Sequence, residues 1–306
     1  MTVQTATKFL FIPVSSAEGI GEYMRSMIIA DEVKRLWSGA EIKFILSKQA
    51  PYAAQCPYPA VILEDTPTKQ VEAVNQIMSD YLPDIVLFDA SGRKSQLAHA
   101  HKLGAKVIFI SQHKRKRSRG MKIGRALVTD CHWVVQPEFV IGPISWLDRL
   151  KLKLINKPAP LNIGPVFTLP DASTQSALLA QYQLTHNEFV LFNAGSGGHS
   201  INGELAADVF VKAAALSGGD TLLQATALHK PTLDVSVSKD QPSRITACEF
   251  KGLLLIADAE LMSIVSNVCR LVSHVAFARL SVNLSKRVSI NGLEIALLEI
   301  SRLLRK

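Results

Sequence analysis

Between Lys8 and Val135, short apolar runs of strand length alternate with stretches of helical period, and few architectures accommodate that alternation. Lys8 to Val14 (KFLFIPV) reads as a strand running into a Ser/Gly-rich turn, after which Tyr23 to Trp37 places Met24, Met27, Ile28, Val33 and Leu36 on one helical face. Glu41 to Leu46 reads as a second strand, and Val71 to Tyr81 as a helix that stops before Pro83. Asp84 to Phe88 (DIVLF) is apolar enough to be buried on both faces, Ser95 to Leu103 is a helix closed by Gly104, and Lys106 to Ile110 and Cys131 to Val135 add strands. The order implies an α/β fold with a doubly wound, mostly parallel sheet.

The Pro-bearing stretch Asn156 to Pro170 reads as an interdomain connection, which divides the chain into an N-terminal domain, 1–168, and a C-terminal domain, 169–306. The pattern restarts with a strand at Glu188 to Asn193, a glycine loop at Ala194 to His199 and a helix from Gly203 to Leu216. A helix from Thr221 to Leu228 and a strand from Pro231 to Val237 follow. Leu253 to Ile256 and Leu271 to Val275 are weaker strands, and Asn291 to Leu304 is a strongly periodic final helix. Two Rossmann-like domains are expected, the second reduced.

With 48% hydrophobic and 20% charged residues the chain has the composition of a globular protein. Its apolar runs fall far short of the roughly 20 residues that span a bilayer, and Met1 to Leu10 does not resemble a secretory signal, so a cytoplasmic protein is expected. Cys56, Cys131, Cys248 and Cys269 are widely separated, and they read as ordinary buried thiols with no metal site and no disulfide framework. The net charge of +8 suits an anionic partner. Much of it falls in the acid-free run His113 to Arg125, with Lys114, Arg115, Lys116, Arg117, Arg119, Lys122 and Arg125. Three readings of that run stand open: an acceptor-phosphate site, a contact with anionic lipid through Lys114, Arg115, Lys116, Arg117 and Arg119, and a solvated loop. Without interleaved aromatics or a recognised binding module, it does not suggest nucleic acid.

Ser15 to Arg25 sets small residues between a strand and a helix start, where free N–H groups hold an anion or where helix and strand simply pack tightly. Gly19 and Gly21 lack the rest of a dinucleotide fingerprint, which disfavours a dehydrogenase. Ser196, Gly197 and Gly198 form a second such loop, and Gly218, Gly219 and Thr221 a third, a pair suited to a ligand carrying a diphosphate. Asp240 and Gln241 follow a strand at the edge where open α/β sheets bind ligands.

The run from Ser217 to Gly252 (SGGDTLLQATALHKPTLDVSVSKDQPSRITACEFKG) resembles the donor-binding segment of GT-B glycosyltransferases: a GG-x-T helix start, then Ala, a Lys-Pro strand and an Asp-Gln pair. Gly19 to Ala30 looks like the first loop and helix of that family's N-terminal domain, and Asn162 to Phe167 like its interdomain linker. The flavour is that of the branch holding the peptidoglycan GlcNAc transferase and the UDP-sugar hydrolases of sialic-acid-like pathways. The resemblance implies an inverting transferase for cell-envelope polysaccharide, using a UDP-linked sugar donor and a sugar or lipid-linked acceptor; glycine loops, helix dipoles and basic side chains in place of a DxD pair argue for a metal-independent reaction, and the basic run adds peripheral contact with the inner face of the membrane as an expectation. It further implies donor phosphate at Gly218, Gly219 and Thr221, ribose at Gln224, donor sugar at Gln241, and a cleft lined by Ser196 to Gly198. No further cofactor is implied. Gln224 is also readable as a core or turn residue.

Where that family commonly has His after the second glycine, this chain has Glu22, which reads either as a general base or as a carboxylate favoured by the helix dipole. Asp89 is the second candidate acid or a helix cap, beside Ser91, Gly92 and Arg93. Between Gly198 and Gly218 there is room for one helix, running into Ser217 with no strand, so central βα units are expected to be missing from the second domain. A degenerate nucleotide-sugar-binding or scaffold protein and a UDP-sugar hydrolase are the alternatives to a transferase.

Overall fold

Strand β1 (Lys8–Pro13) alternates Phe9 and Phe11 with Leu10 and Ile12, and every one of these is buried, because both faces of the sheet are covered. The structure is a computed structural model that describes residues 6–14, 20–169, 171–186, 189, 191, 200–201, 204–205, 216–217, 220–237, 241–287 and 290–305. These fall into two units, residues 1–166 with 291–306, and residues 167–290.

In the first unit, β1 is followed by α1 (Gly21–Leu36), β2 (Glu41–Ser47), β3 (Ala60–Leu63), α2 (Val71–Tyr81), β4 (Ile85–Asp89), α3 (Lys94–Lys102) and β5 (Lys106–Ser111). Short helices α4 (Lys114–Gly120) and α5 (Ile123–Ala126), β6 (Cys131–Val134), α6 (Glu138–Ile141), α7 (Trp146–Leu154) and β7 (Leu161–Asn162) complete it. All strand pairs are parallel, in the order β3-β2-β1-β4-β5-β6-β7. This is a doubly wound sheet whose strand order reverses between β1 and β4, the switch point beside which such folds bind ligands.

The sheet's pleat sorts its side chains into two cores. Phe9, Phe11, Phe44, Leu87, Ile108 and Trp133 pack toward α1, whereas Leu10, Ile12, Ile45, Phe88, Val107 and Phe109 pack with Val74 and Met78 of α2 and Leu97 of α3. Strands β3 and β7 are additions to the sequence reading, and β7 lies inside the stretch expected to be a linker.

Its position in the chain puts the C-terminal helix, Gly292–Leu304, in the second domain, yet it belongs to the first unit. Its apolar stripe explains why: Leu293, Ala296, Ile300 and Leu303 enter the α1-side core. The side chain of Asn291 accepts from the Leu293 N–H at 3.0 Å and starts the helix. Gly292 is required at this docking point, since a Cβ there would lie 2.7 Å from the carbonyl oxygen of Gly164 and 2.9 Å from that of Pro165.

The second unit has a three-stranded parallel sheet, β10 (Leu216–Ser217), β11 (Leu233–Val235) and β12 (Leu255–Ala257), in that order, besides a two-stranded antiparallel pair, β8 (Ser200–Ile201) and β9 (Glu204–Leu205). Leu233, Val235, Leu255, Ala257, Ile264, Leu271 and Leu280 form its core. Several expectations change here. A strand, β10, ends at Ser217, which pairs with Val235, whereas the sequence pattern predicts a helix running straight into Ser217. The expected helix from Gly203 to Leu216 holds β9 and the start of β10, and 206–215 lie outside the described residues. Leu271 to Val275 is no strand but the junction of helices Leu261–Val272 and His274–Ser285, the second capped by the Ser273 hydroxyl. The strand Glu188 to Asn193 lies outside the described residues except for Phe189 and Leu191. Cys131 and Cys248 are buried, but Cys56 is half-buried and Cys269 exposed.

Among the described residues no single helix is long and apolar enough to cross a membrane. Packing of the C-terminal helix makes a simple prediction for urea denaturation. Ile300→Ala should cost about 2–5 kcal/mol, whereas Leu298→Ala, at an exposed position, should stay within about 0.5 kcal/mol. Equal, small effects at both positions would mean that the helix is not part of the core.

Candidate active site

At the C-terminal edge of the first sheet, Asp89 ends β4 with no exposed surface, so its charge requires a partner. Arg25 of α1 supplies it: Nε donates to Oδ2 at 2.8 Å and Nη2 to Oδ1 at 2.7 Å, a two-pronged ion pair with both side chains buried. Nη2 of Arg25 also donates to Oε1 of Gln112, just past β5, at 3.2 Å. The Gln112 amide then donates to Oε1 of Glu22 at 2.7 Å. One chain of contacts therefore runs from a buried carboxylate to a half-buried one in the first turn of α1.

This relay brings together the two acids singled out in the sequence. Asp89 is engaged as the anchor of Arg25, and Glu22 is the acid at the outer end. Arg25 and Gln112 do not stand out in the sequence. The available signal was Arg25's place on the helix, four residues before the buried Ile29, where a charge on the core-facing side implies a buried partner.

Beside the relay is a cavity of about 490 Å³, lined by Val14, Ala90, Ser91, Gly92 and Phe109 and by the cations Arg93, Lys116, Arg119, Lys122 and Arg125. The basic run is not a loop. Along the short helices α4 and α5 and the turn that joins them, cations spaced three apart, Lys116, Arg119, Lys122 and Arg125, line one cavity. Lys116 Nζ donates to the Ala90 carbonyl, and Arg125 donates to that of Gly92 at 3.0 Å. Burial pushes the Lys116 ammonium below its ordinary pKa, with Glu22 and Asp89 opposing the shift and Arg119 and Arg125 adding to it. Arg125 is likewise lowered, first by burial and then by Arg119 and Arg93.

Arg117 departs from the expected patch. It is buried, and its guanidinium donates to the carbonyls of Gly142 at 2.6 Å and Pro143 at 3.1 Å, because its helical position turns it away from Lys116. Gly120 packs closely on His132, whose Nε2 lies 2.9 Å from the Ser111 hydroxyl and whose pKa burial lowers to about 3.

In the second unit, Thr221 and Gln224 belong to helix Asp220–Ala227, a helix the sequence implied. Gln241 precedes helix Pro242–Phe250, and its Oε1 accepts from the Val237 N–H at 2.8 Å. Gly21 opens α1, while Gly19, Ser196, Gly197, Gly198, Gly218, Gly219 and Asp240 lie outside the described residues. The Asp234 carboxyl, not singled out in the sequence, is pushed up to about 7 by burial on β11, with a backbone hydrogen bond and Arg244 opposing. Among the described residues no group of three His, Cys, Asp or Glu side chains is placed to hold a metal ion.

No protein-family model matches the chain, and no curated protein matches it in sequence. Solved structures do. The calicheamicin glycosyltransferase CalG4 aligns with a TM-score of 0.59 at 14% identity, over 98% of this chain and 99% of that one. The glycosyltransferase VinC, solved in complex with dTDP, gives 0.58 at 13% over 97% and 99%. UGT89C1 of Arabidopsis thaliana, complexed with UDP, gives 0.57 at 9% over 97% and 100%. The fold is that of the GT-B glycosyltransferases. At such identities the likeness establishes the architecture, and the particular branch is not distinguished.

Two stability measurements probe the site. Arg25→Ala leaves Asp89 buried and unpaired and should cost about 3–5 kcal/mol, most of it recovered when Asp89 is also replaced by Leu. An Arg25→Ala chain as stable as the wild type would remove the ion pair from its structural role. For His132 the folded pKa is depressed, so the unfolded chain binds the extra proton first. Its contribution is present above about 6.5 and is lost as pH falls toward 3, with a slope of about 1.4 kcal/mol per pH unit. The stability gap between wild type and His132→Asn should narrow over that interval; a pH-independent gap would contradict the burial of a neutral ring.

Proposed function

We propose that this protein transfers a sugar from a nucleoside diphosphate, UDP-linked, to an acceptor hydroxyl, by direct displacement with inversion and without a metal. The observation that carries the proposal is Glu22, a carboxylate held at the C-terminal edge of a GT-B N-terminal sheet by a buried relay rather than left mobile on the surface. Gln112 fixes one Glu22 oxygen, and fixed geometry is what a general base needs before its basicity matters.

In the proposed reaction Glu22 takes the proton of the acceptor hydroxyl. The acceptor oxygen bonds to the anomeric carbon as the bond from that carbon to the diphosphate oxygen breaks. Charge on the leaving UDP is stabilised by N–H groups at the starts of the second-unit helices, with Gly218, Gly219 and Thr221 at the phosphate, Gln224 at the ribose, and Asp240 and Gln241 at the sugar. Ser196 to Gly198, and Gly19 and Gly21 in the first unit, supply further backbone donors. Asp89 holds the base in place through Arg25 and is not itself the base. The resemblance to the peptidoglycan branch, the reduced second domain, cytoplasmic action at the inner face of the membrane and service to cell-envelope polysaccharide belong to the same reading.

Turnover is read as nucleotide release from UDP-sugars, with and without candidate acceptors. Glu22→Gln should lower acceptor-dependent release about 10²- to 10⁴-fold, as expected for a lost general base, while UDP affinity stays within about twofold. Unchanged turnover would remove Glu22 from the mechanism. Release that ignores acceptors would favour the hydrolase, and UDP binding without release the degenerate binder.

A further inference from the structure

The pocket beside Glu22 is unusual for a small-molecule site. Its volume of about 490 Å³ is ordinary, since such pockets commonly measure about 300–1,000 Å³, but those are lined mainly by apolar groups and this one is lined by five cations and no carboxylate. Packing positive charges together is unfavourable unless something answers them. The nearest buried carboxylate, Asp89, is engaged by Arg25. Lys116 and Arg125 each spend one N–H on a carbonyl of the Ala90–Gly92 turn, which aims them into the cavity with further donors to spare. The side chains of Arg119 and Lys122 have no hydrogen-bond or ion-pair partner among the described residues. Ala90 and Gly92 both adopt left-handed backbone (φ 51° and 80°), and the turn they make brings the cavity floor against the cations.

We infer that this pocket is an acceptor-recognition site for a phosphate or diphosphate ester, held by Arg93, Lys116, Arg119, Lys122 and Arg125. Arginine forks match phosphate oxygens in pairs and lysine adds charge at the rim. Anion binding stands on the pocket alone; its assignment to the acceptor rests on the transfer reaction proposed above. The same chemistry is offered by a soluble phosphorylated compound and by a phosphate-bearing lipid.

The test uses the full chain, inorganic pyrophosphate as probe, and two charge-matched double variants. R119S/K122S empties the pocket of the two cations that hold no other group, whereas K114S/R115S removes the same charge from exposed positions outside it. By titration calorimetry the wild type should bind pyrophosphate, R119S/K122S should bind it at least about tenfold more weakly, and K114S/R115S should lie within about twofold of wild type. UDP affinity should be the same in all three, and so should thermal unfolding without ligand. Co-sedimentation with phosphatidylcholine vesicles containing phosphatidic acid separates the sources. Vesicle binding that pyrophosphate displaces and R119S/K122S abolishes points to a lipid, and pyrophosphate binding without vesicle binding to a soluble ester; either supports the site. No pyrophosphate binding by the wild type, equal weakening in both variants, or parallel loss of UDP affinity in R119S/K122S would overturn it. Because binding is read without turnover, its failure leaves the transfer reaction standing, and an inactive chain that binds pyrophosphate leaves the pocket standing.

Discussion

The ion pair between Arg25 and Asp89 is the contact on which the arrangement at the sheet edge depends. A carboxylate with no exposed surface must be matched at close range, and the match ties α1, which carries Glu22, to the end of β4. Replacing the pair by apolar residues need not cost stability, so its presence points to positioning: the guanidinium that satisfies Asp89 also holds Gln112, and Gln112 holds Glu22. The same strand end turns through Ala90 and Gly92 to anchor two of the pocket cations. Glu22 and the cation-lined pocket therefore share one foundation.

Much of the first sheet was legible because its strands are buried on both faces. Uninterrupted apolar runs such as those of β4 and β5 have few alternatives to a parallel sheet. What escaped were the edges. Strand β3 follows Pro57 and Pro59 closely, and β7 is two residues in a Pro-bearing stretch, so local composition argued for loop while pairing to β2 and β6 decided the outcome. The C-terminal helix shows a different limit. Its periodicity predicts a helix correctly, but periodicity does not say which core an apolar stripe will enter.

The site was legible in part for similar reasons. Glu22 stands out because it takes the place after the second glycine where the resembling family commonly has His, and Asp89 because it follows a buried strand; the contacts linking them join residues 64 to 90 positions apart in the chain and have no local signature. The basic run was read as a block of charge, whereas its three-residue spacing at Lys116, Arg119, Lys122 and Arg125 contained the more useful information. Arg117, inside the same run, turns the other way to satisfy two carbonyls. In the second unit, Leu271 to Val275 has the composition of a strand, but the Ser273 hydroxyl caps a new helix there.

A GT-B protein that uses a nucleotide-sugar donor, as proposed, must bind the nucleotide. Calorimetric titration of the full chain with UDP tests this most directly, because it requires neither the right sugar nor the right acceptor. Saturable binding at one site per chain is expected, unaffected by R119S/K122S and weakened when Gln241 is replaced by Ala. Absence of any saturable binding of UDP by the folded chain would contradict it.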